Sequence, residues 1–241
     1  MNAFARLLHE ERPIVAVSLD DSYGIDALVR AQRAGVDVAE LRVDRFASVE
    51  AEHVLEVARR FAALPRLITV RSAVEGGHWS ASEEQRLQLY LTLMPEAAAV
   101  DVELGSSAIL DQVVATAADQ DVVKVISYHN FEETPDDDLL RETVQRAKGR
   151  GADLVKISVL TKTEADVRRL ARFTADNESA GLISIGMGRC GTVSRVLFPA
   201  LGSRLTFADI GLGQHLGQLP FDRMCDLLRE LYPKFNERKL G

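Results

Sequence analysis

Cysteine is nearly missing from this chain. Cys190 and Cys225 are too few for a disulfide framework, so a reducing compartment is the expectation. Positive charge is also in deficit: 29 Lys and Arg against 36 Asp and Glu give a formal net charge of −7. That balance argues against nucleic acid or an anionic membrane as the main partner. An anionic small molecule stays open, provided that a local cluster of Arg or Lys works against the overall field. No apolar run is long enough to span a bilayer. The first residues, MNAFARLLHEERP, scatter Arg6, Glu10, Glu11 and Arg12 where a signal peptide has its uncharged core, so a cytoplasmic protein is expected. Aromatic residues are scarce at 6%, but 46% of the chain is hydrophobic and 27% charged, enough to bury a substantial core. Pro/Ser-rich gaps and low-complexity tracts are missing too, and a single domain over residues 1–241 is expected.

What the chain does contain is a recurring unit. Short apolar runs at 13–18, 37–43, 66–71, 98–104, 122–127, 152–158, 181–186 and 205–210 read as strands. Between them lie amphipathic segments such as 51–64 and 137–151. In the second of these, Leu139, Leu140, Thr143, Val144 and Ala147 fall on one helical stripe, and Gly149 or Gly151 can end the helix. Eight strands spaced roughly 25–35 residues apart match eight βα units. The fold class expected is α/β, a (β/α)8 TIM barrel. An open doubly wound sheet competes, but it would favour a Gly-rich loop after the first strand, and LDDSYG has no such pattern.

Polar residues sit inside these runs with a fixed parity. Side chains two apart on a strand share a face, so Glu40 pairs with Arg42, Thr69 with Arg71, Ser127 with His129, and Lys156 with Leu154 and Ser158. The other parity is apolar: Leu41, Val43, Ile68, Val70, Ile126, Val155 and Ile157 suit the layer between barrel and helices. Glu40, Arg42, Arg71, His129 and Lys156 would then point inward near the C-terminal mouth, where this fold collects its chemistry, with Ser18 in the same ring. One charged residue at a strand end is usually a solvated rim residue. Several at one depth and one parity imply mutual pairing around a ligand, because buried charges are costly unless paired.

Lys156 is flanked by Leu154, Val155, Ile157 and Val159. A dry surround strips hydration from an ammonium and favours the neutral amine that attacks a carbonyl. The resulting imine acidifies the adjacent carbon. It then needs a base titrating near neutrality, and His129 on the preceding strand is the candidate. Glu75, in the segment RSAVEGG, can orient that imidazole or set its protonation, and Gly76 and Gly77 let the loop turn tightly. Arg42, Arg71 and Arg195 are forks suited to a carboxylate or to hydroxyl oxygens, and Glu40 can accept from a hydroxyl or position an Arg.

These residues lie in segments that resemble the type I 3-dehydroquinate dehydratases, shikimate-pathway lyases of aromatic amino acid biosynthesis. The matching stretches are AELRVDRF (39–46), TVRSAVEGG (69–77), DVEL (101–104), ISYHNFEETP (126–135), GADLVKISVLTKTEADV (151–167), ISIGMGRCGTVSR (183–195) and GSRLTFADIG (202–211). The resemblance implies a (β/α)8 barrel, a homodimer, and no metal or dissociable cofactor. It implies that Lys156 forms an imine with the C3 ketone of 3-dehydroquinate. His129 would then carry a proton from C2 to the departing C1 hydroxyl in a syn elimination, paired with Glu75. Substrate contacts are implied at Ser18, Glu40, Arg42, Arg71, Arg195 (at the carboxylate), Gln214 and Gln218. Two departures stand out. The lid reads Gln214-His215-Leu216-Gly217-Gln218 without the family's usual proline, which should loosen it and raise the cost of ordering it on binding. Asn130 replaces a common Asp after the histidine.

Other signals carry less. Gly186-Met187-Gly188-Arg189-Cys190-Gly191 matches GxGxxG, but it follows the seventh strand with too little chain beyond it for a dinucleotide domain, and reads as a flexible turn leading to Arg195. The five histidines show no metal-ligand spacing. Asp101 and Glu103 read as partners for Lys or Arg inside the barrel, Trp79 as a loop residue covering apolar surface, and the tail PKFNERKLG as frayed. Two alternatives remain at this point: a class I Schiff-base aldolase on the same barrel, and a catalytically silent barrel kept as a binding module.

Overall fold

The computed structural model describes residues 2–211 and 217–236; Gln214, His215 and Leu216 lie outside them. Eight parallel strands alternate with helices: β1 Val15–Leu19, β2 Val38–Arg42, β3 Arg66–Thr69, β4 Ala99–Glu103, β5 Val123–Asn130, β6 Leu154–Leu160, β7 Leu182–Met187 and β8 Thr206–Ala208. The helices are α1 Ala3–Leu7, α2 Ile25–Ala34, α3 Ala51–Arg60, α4 Glu83–Leu93, α5 Leu110–Asp119, α6 Asp137–Gly149, α7 Glu164–Asp176, α8 Ser194–Leu197 and α9 Phe221–Leu231. Ladders connect the strands in the order β7-β6-β5-β4-β3-β2-β1-β8. The remaining seam, between β7 and β8, is held by the Arg204 N–H on the Leu182 carbonyl (2.7 Å) and the Ser184 N–H on Ser203 Oγ (3.0 Å). The result is a nearly closed (β/α)8 barrel.

The parity rule divides the core in two. Val15, Val17, Leu41, Ile68, Val100, Ile126, Val155 and Ile157 join the helices in one apolar layer. Ala16, Val38, Leu67, Ala99, Val125, Leu154, Ile183 and Phe207 fill the lower barrel interior. That interior is plugged at its N-terminal end by α1, whose Phe4 is buried within it. α1 is too short to hold itself; Asn2 caps it by accepting from the Ala5 N–H at 2.8 Å, and its amide donates to the Ala98 carbonyl at 3.0 Å.

The structure moves several boundaries. β5 runs three residues further than the apolar run, so His129 and Asn130 are strand residues paired with Ser158 and Val159 of β6. Conversely β3 stops at Thr69, and Arg71 lies just beyond it. In α6 the buried stripe is Leu140, Thr143, Val144 and Ala147, whereas Leu139 is 42% exposed. One residue on a helix is a 100° turn, enough to take Leu139 off a stripe defined by steps of three and four. Gly151, not Gly149, takes the left-handed backbone (φ 88°) beyond the helix. The tail is not frayed at its start: Phe235 is buried, with the Arg12 guanidinium 5.8 Å from its ring centre. The turn after β7 is not loose either. A Cβ on Gly191 would stand 2.3 Å from the Gly186 carbonyl oxygen, and Gly188 has φ 83°, so the glycines allow a tight reversal that delivers Arg195 on α8 to the barrel mouth.

Candidate active site

Inward positions above the apolar plug are polar on six adjacent strands, β1 to β6, with Ser18 on the first. Glu40, Asp101, Ser127 and Lys156 form one level of the barrel, and Arg71, Glu103 and His129 stand above them. All are shielded from bulk water, and Lys156 is only 5% exposed. Its ammonium donates to Asp101 Oδ2 at 2.8 Å, lies 3.5 Å from Glu40 Oε1, and sits 4.5 Å over the centre of the Phe207 ring. This corrects the expectation of a dry apolar surround. Val155, Ile157 and Val159, its chain neighbours, face the helices by strand parity. The amine is instead held between two carboxylates and an aromatic face, which keep it in one place.

The carboxylates are themselves fully engaged. Glu40 accepts from Ser18 Oγ and from Thr69 Oγ1 (3.0 Å). Burial raises its proton affinity, but Lys156 and Arg42 outweigh burial and hold it below its ordinary range. Asp101 accepts from Ser127 Oγ (2.6 Å) and pairs with Arg71 Nη2 (2.7 Å). Arg71 also reaches Glu103 Oε1 (2.9 Å) and Ser127 Oγ (2.7 Å). Arg42 forms a two-pronged pair with Asp44, Nε to Oδ1 at 2.9 Å and Nη2 to Oδ2 at 2.7 Å.

His129 and Glu75 meet as a couple. Glu75 Oε2 lies 2.8 Å from His129 Nδ1 and accepts the His129 backbone N–H at 3.0 Å. The imidazole stacks on Phe131, ring centres 6.2 Å apart. Burial, with Arg71 and Lys156 facing the ring, pushes the imidazole well below its ordinary range. Burial, reinforced by Glu103, pushes the Glu75 carboxyl up to about 7 against the pull of Arg71. The two groups share one buried site, so the pair titrates as a unit. The turn Ala73–Glu75 that carries the glutamate requires its two glycines. Gly76 has φ 75° and lies under the Phe131 ring, and a Cβ on Gly77 would strike the Arg71 carbonyl oxygen at 2.0 Å.

Lys156, His129, Glu75, Ser18, Glu40, Arg42, Arg71, Arg195 and Gln218 all line one cavity of about 240 Å³ at the C-terminal mouth. Of the substrate contacts expected from the sequence, Gln214 lies outside the described residues, as do His215 and Leu216 of the same lid segment. Arg195 is the exception to the pairing rule. It is 3% exposed, its Nε and Nη1 find no hydrogen-bond partner among the described residues, and burial pulls it down to about 10. The Gln218 carbonyl oxygen is likewise buried without a partner there. Unsatisfied buried donors and acceptors facing a cavity are positioned for a polar ligand, here an anionic one. Asn130 takes no part in this: its Oδ1 accepts the Glu132 and Glu133 N–H groups (2.8 and 2.9 Å) and shapes the loop after β5.

The family model for type I 3-dehydroquinase matches residues 14–234. The chain belongs to this family. It is similar to the 3-dehydroquinate dehydratase of Methanothermobacter thermautotrophicus, 35% identical over 208 residues that cover 85% of this chain and 90% of that protein. The dehydratase of Methanococcoides burtonii is 31% identical over 214 residues, 87% of this chain and 91% of the relative. Among solved structures, 3-dehydroquinate dehydratase from Aquifex aeolicus superposes with a TM-score of 0.83 at 30% identity, covering 91% of this chain and 99% of that one.

In this type I 3-dehydroquinase barrel, three site residues escaped the reading of the sequence. Phe207, beneath the lysine, was legible in principle, since it occupies an inward position of β8. Phe131, stacked on the histidine, lies in a loop where no periodicity reports direction. Asp44, which clamps Arg42, sits in a single turn after β2 where strand parity no longer applies.

Proposed function

We propose that this protein dehydrates 3-dehydroquinate to 3-dehydroshikimate through an imine on Lys156. Family membership supports the overall reaction, and the observation that carries the chemistry is one cavity holding the Lys156 amine, the His129–Glu75 couple and the Arg195 guanidinium, whose Nε and Nη1 have no partner among the described residues. Lys156 adds to the C3 carbonyl and water leaves, giving a protonated imine. His129 removes the C2 proton, and the C–H electrons move into an enamine. The enamine then expels the C1 hydroxyl, which leaves as water with the proton that His129 carries. Water hydrolyses the conjugated imine, releasing the enone and restoring the amine. The iminium is the electron sink, so these steps call for no metal or dissociable cofactor.

Asp101 and Glu40, both within 3.5 Å of the Lys156 nitrogen, hold the amine in place at the reacting carbon. Ser18, Glu40, Arg42, Arg71, Gln214 and Gln218 are assigned to the substrate hydroxyls and ring, and Arg195 to its carboxylate. The same reading makes the chain one catalytic domain acting as a homodimer, on the resemblance, and cytoplasmic, on its charge and cysteine usage. Among the described residues no helix is long and apolar enough to cross a membrane.

The test is borohydride reduction in the presence of 3-dehydroquinate. Irreversible mass should appear on the peptide containing Lys156, and untreated enzyme should generate the near-ultraviolet absorbance of a conjugated enone acid. Label on another peptide refutes the lysine assignment, and absence of the enone refutes the reaction and leaves an aldolase or a silent barrel. A second expectation concerns Arg195→Gln. A hydrogen bond to a charged group contributes about 1.5–3 kcal/mol, so KM should rise roughly 10- to 100-fold with a smaller change in kcat. Thermal stability should hold or improve, since a buried cation whose Nε and Nη1 have no partner among the described residues disfavours the fold. A variant with unchanged KM would separate Arg195 from the carboxylate.

A further inference from the structure

Outside the cavity, the largest fully buried side chain belongs to Arg86, in the middle of the first half of α4. Its Nε donates to the Val70 carbonyl at 2.7 Å and its Nη1 to Ser106 Oγ at 2.9 Å, while Nη2 bonds Glu103 Oε2. Glu103 Oε1 turns the other way, to Arg71 Nη1 at 2.9 Å and to the Ser72 N–H at 2.9 Å. Ser72 in turn caps the short turn that carries Glu75. A line of alternating charge thus runs from helix to reaction centre: Arg86, Glu103, Arg71, Asp101, Lys156. Glu40, Asp101 and Glu103 are balanced by Lys156, Arg71 and Arg86, while Arg42 and Asp44 satisfy each other.

We propose that Arg86 is a positioning residue for the dehydration. By gripping Val70 and Glu103 together, it fixes the Val70–Ser72 segment and so sets where Glu75 meets His129 and how Arg71 covers Asp101. This rests on the dehydratase reading above. A guanidinium fork is needed because one acceptor is the Val70 carbonyl just past β3 and the other is Glu103 at the end of β4, and only a rigid planar donor reaches both. The groups facing Glu75 are Arg71 from the end of β3, Asp101 and Glu103 from β4, and His129 from β5. Glu83 of α4 lines a separate cavity together with Glu75 and Glu103. Those facing Arg86 are Glu83 and Tyr90 on its own helix and Glu103. Removing the guanidinium leaves the Glu103 charge less compensated, and Glu103 already pushes the Glu75 carboxyl up.

The experiment compares Arg86→Met and Arg86→Lys with the wild-type enzyme, using 3-dehydroquinate, the enone absorbance and borohydride trapping on Lys156, normalised to folded protein from a thermal melt. For Arg86→Met, kcat should fall about 100-fold, the scale of a misplacement transmitted to the reacting groups, with KM within about threefold. The acid limb of kcat/KM should move to higher pH by about one unit, while trapping on Lys156 persists. Arg86→Lys keeps the charge but not the fork, so its acid limb should return to the wild-type position while kcat remains about tenfold low. Wild-type kcat and pH profile per folded Arg86→Met molecule would overturn the proposal, since a purely structural residue lowers only the folded fraction. If Arg86→Met does not fold, Arg86→Lys decides: a full wild-type kcat, or a displaced acid limb, overturns it. Failure of the wild-type enzyme itself to trap or to form the enone would instead strike at the dehydratase reading.

Discussion

Lys156→Met is expected to abolish turnover, with kcat lowered by at least about 10⁴-fold, and to eliminate borohydride labelling altogether. No neighbouring group can substitute: the other cations in the cavity are guanidinium groups, which stay charged and cannot form an imine. Methionine fills a similar volume along the Phe207 ring, so packing is largely retained. Asp101 loses one of its cations but keeps Arg71 at 2.7 Å and Ser127 at 2.6 Å, and Glu40 keeps Ser18 and Thr69. Breaking a buried pair by removing one partner can destabilise by about 3–5 kcal/mol; with these residual partners the loss should fall at or below the lower end. The protein should therefore fold, melt a few degrees lower and be inert. Enone formation by a folded Lys156→Met variant would remove the imine from the mechanism.

His129→Ala should separate the two halves of the reaction. On the proposed mechanism imine formation falls to Lys156, whose contacts with Glu40 and Asp101 do not involve the imidazole. Labelling of Lys156 should consequently survive. Transfer of the C2 proton should slow by about 10² to 10⁴, the usual contribution of a positioned acid–base group, so the trapped species accumulates as the unreacted substrate adduct. The pH dependence follows from the couple. The imidazole must be neutral to act as base, and burial with Arg71 and Lys156 facing it favours the neutral form. Activity should then be present above the titration of the Glu75–His129 pair and be lost as pH falls through it, with Glu75 at about 7 marking the region of interest. In the Ala variant this acid limb should flatten. A variant that retained both its rate and its acid limb would assign the proton to another group.

Strand parity made much of this site legible. Glu40, Arg42, His129 and Lys156 announce themselves because a charged residue at an inward position of an otherwise apolar run has few explanations on a barrel. Arg71 was legible by the same parity although it lies just beyond the end of its strand, whereas Glu75 was marked by its place in the loop segment RSAVEGG, where periodicity no longer applies. Arg86 was invisible for the opposite reason. An arginine on an amphipathic helix reads as solvent-facing, and nothing local reports that its fork reaches both Val70, just past β3, and Glu103 of β4. The surroundings of Lys156 were misjudged by treating chain neighbours as spatial neighbours, although adjacent residues on a strand face opposite ways.

From the amino-acid order alone came the eight βα units, the face each side chain takes, and the residue types able to form an imine and move a proton. These are local properties, decided by periods of two and 3.6 residues along the backbone. The tertiary structure alone decided which inward charges meet. Asp101 and Lys156 are 55 residues apart, Arg71 and Ser127 56, and Glu75 and His129 54. Their contacts exist because the parallel register places Ser127 beside Lys156, and because the strands close into a ring. Proton affinity follows from those distances and from burial, so the opposite shifts of His129 and Glu75 could emerge only once the barrel had formed.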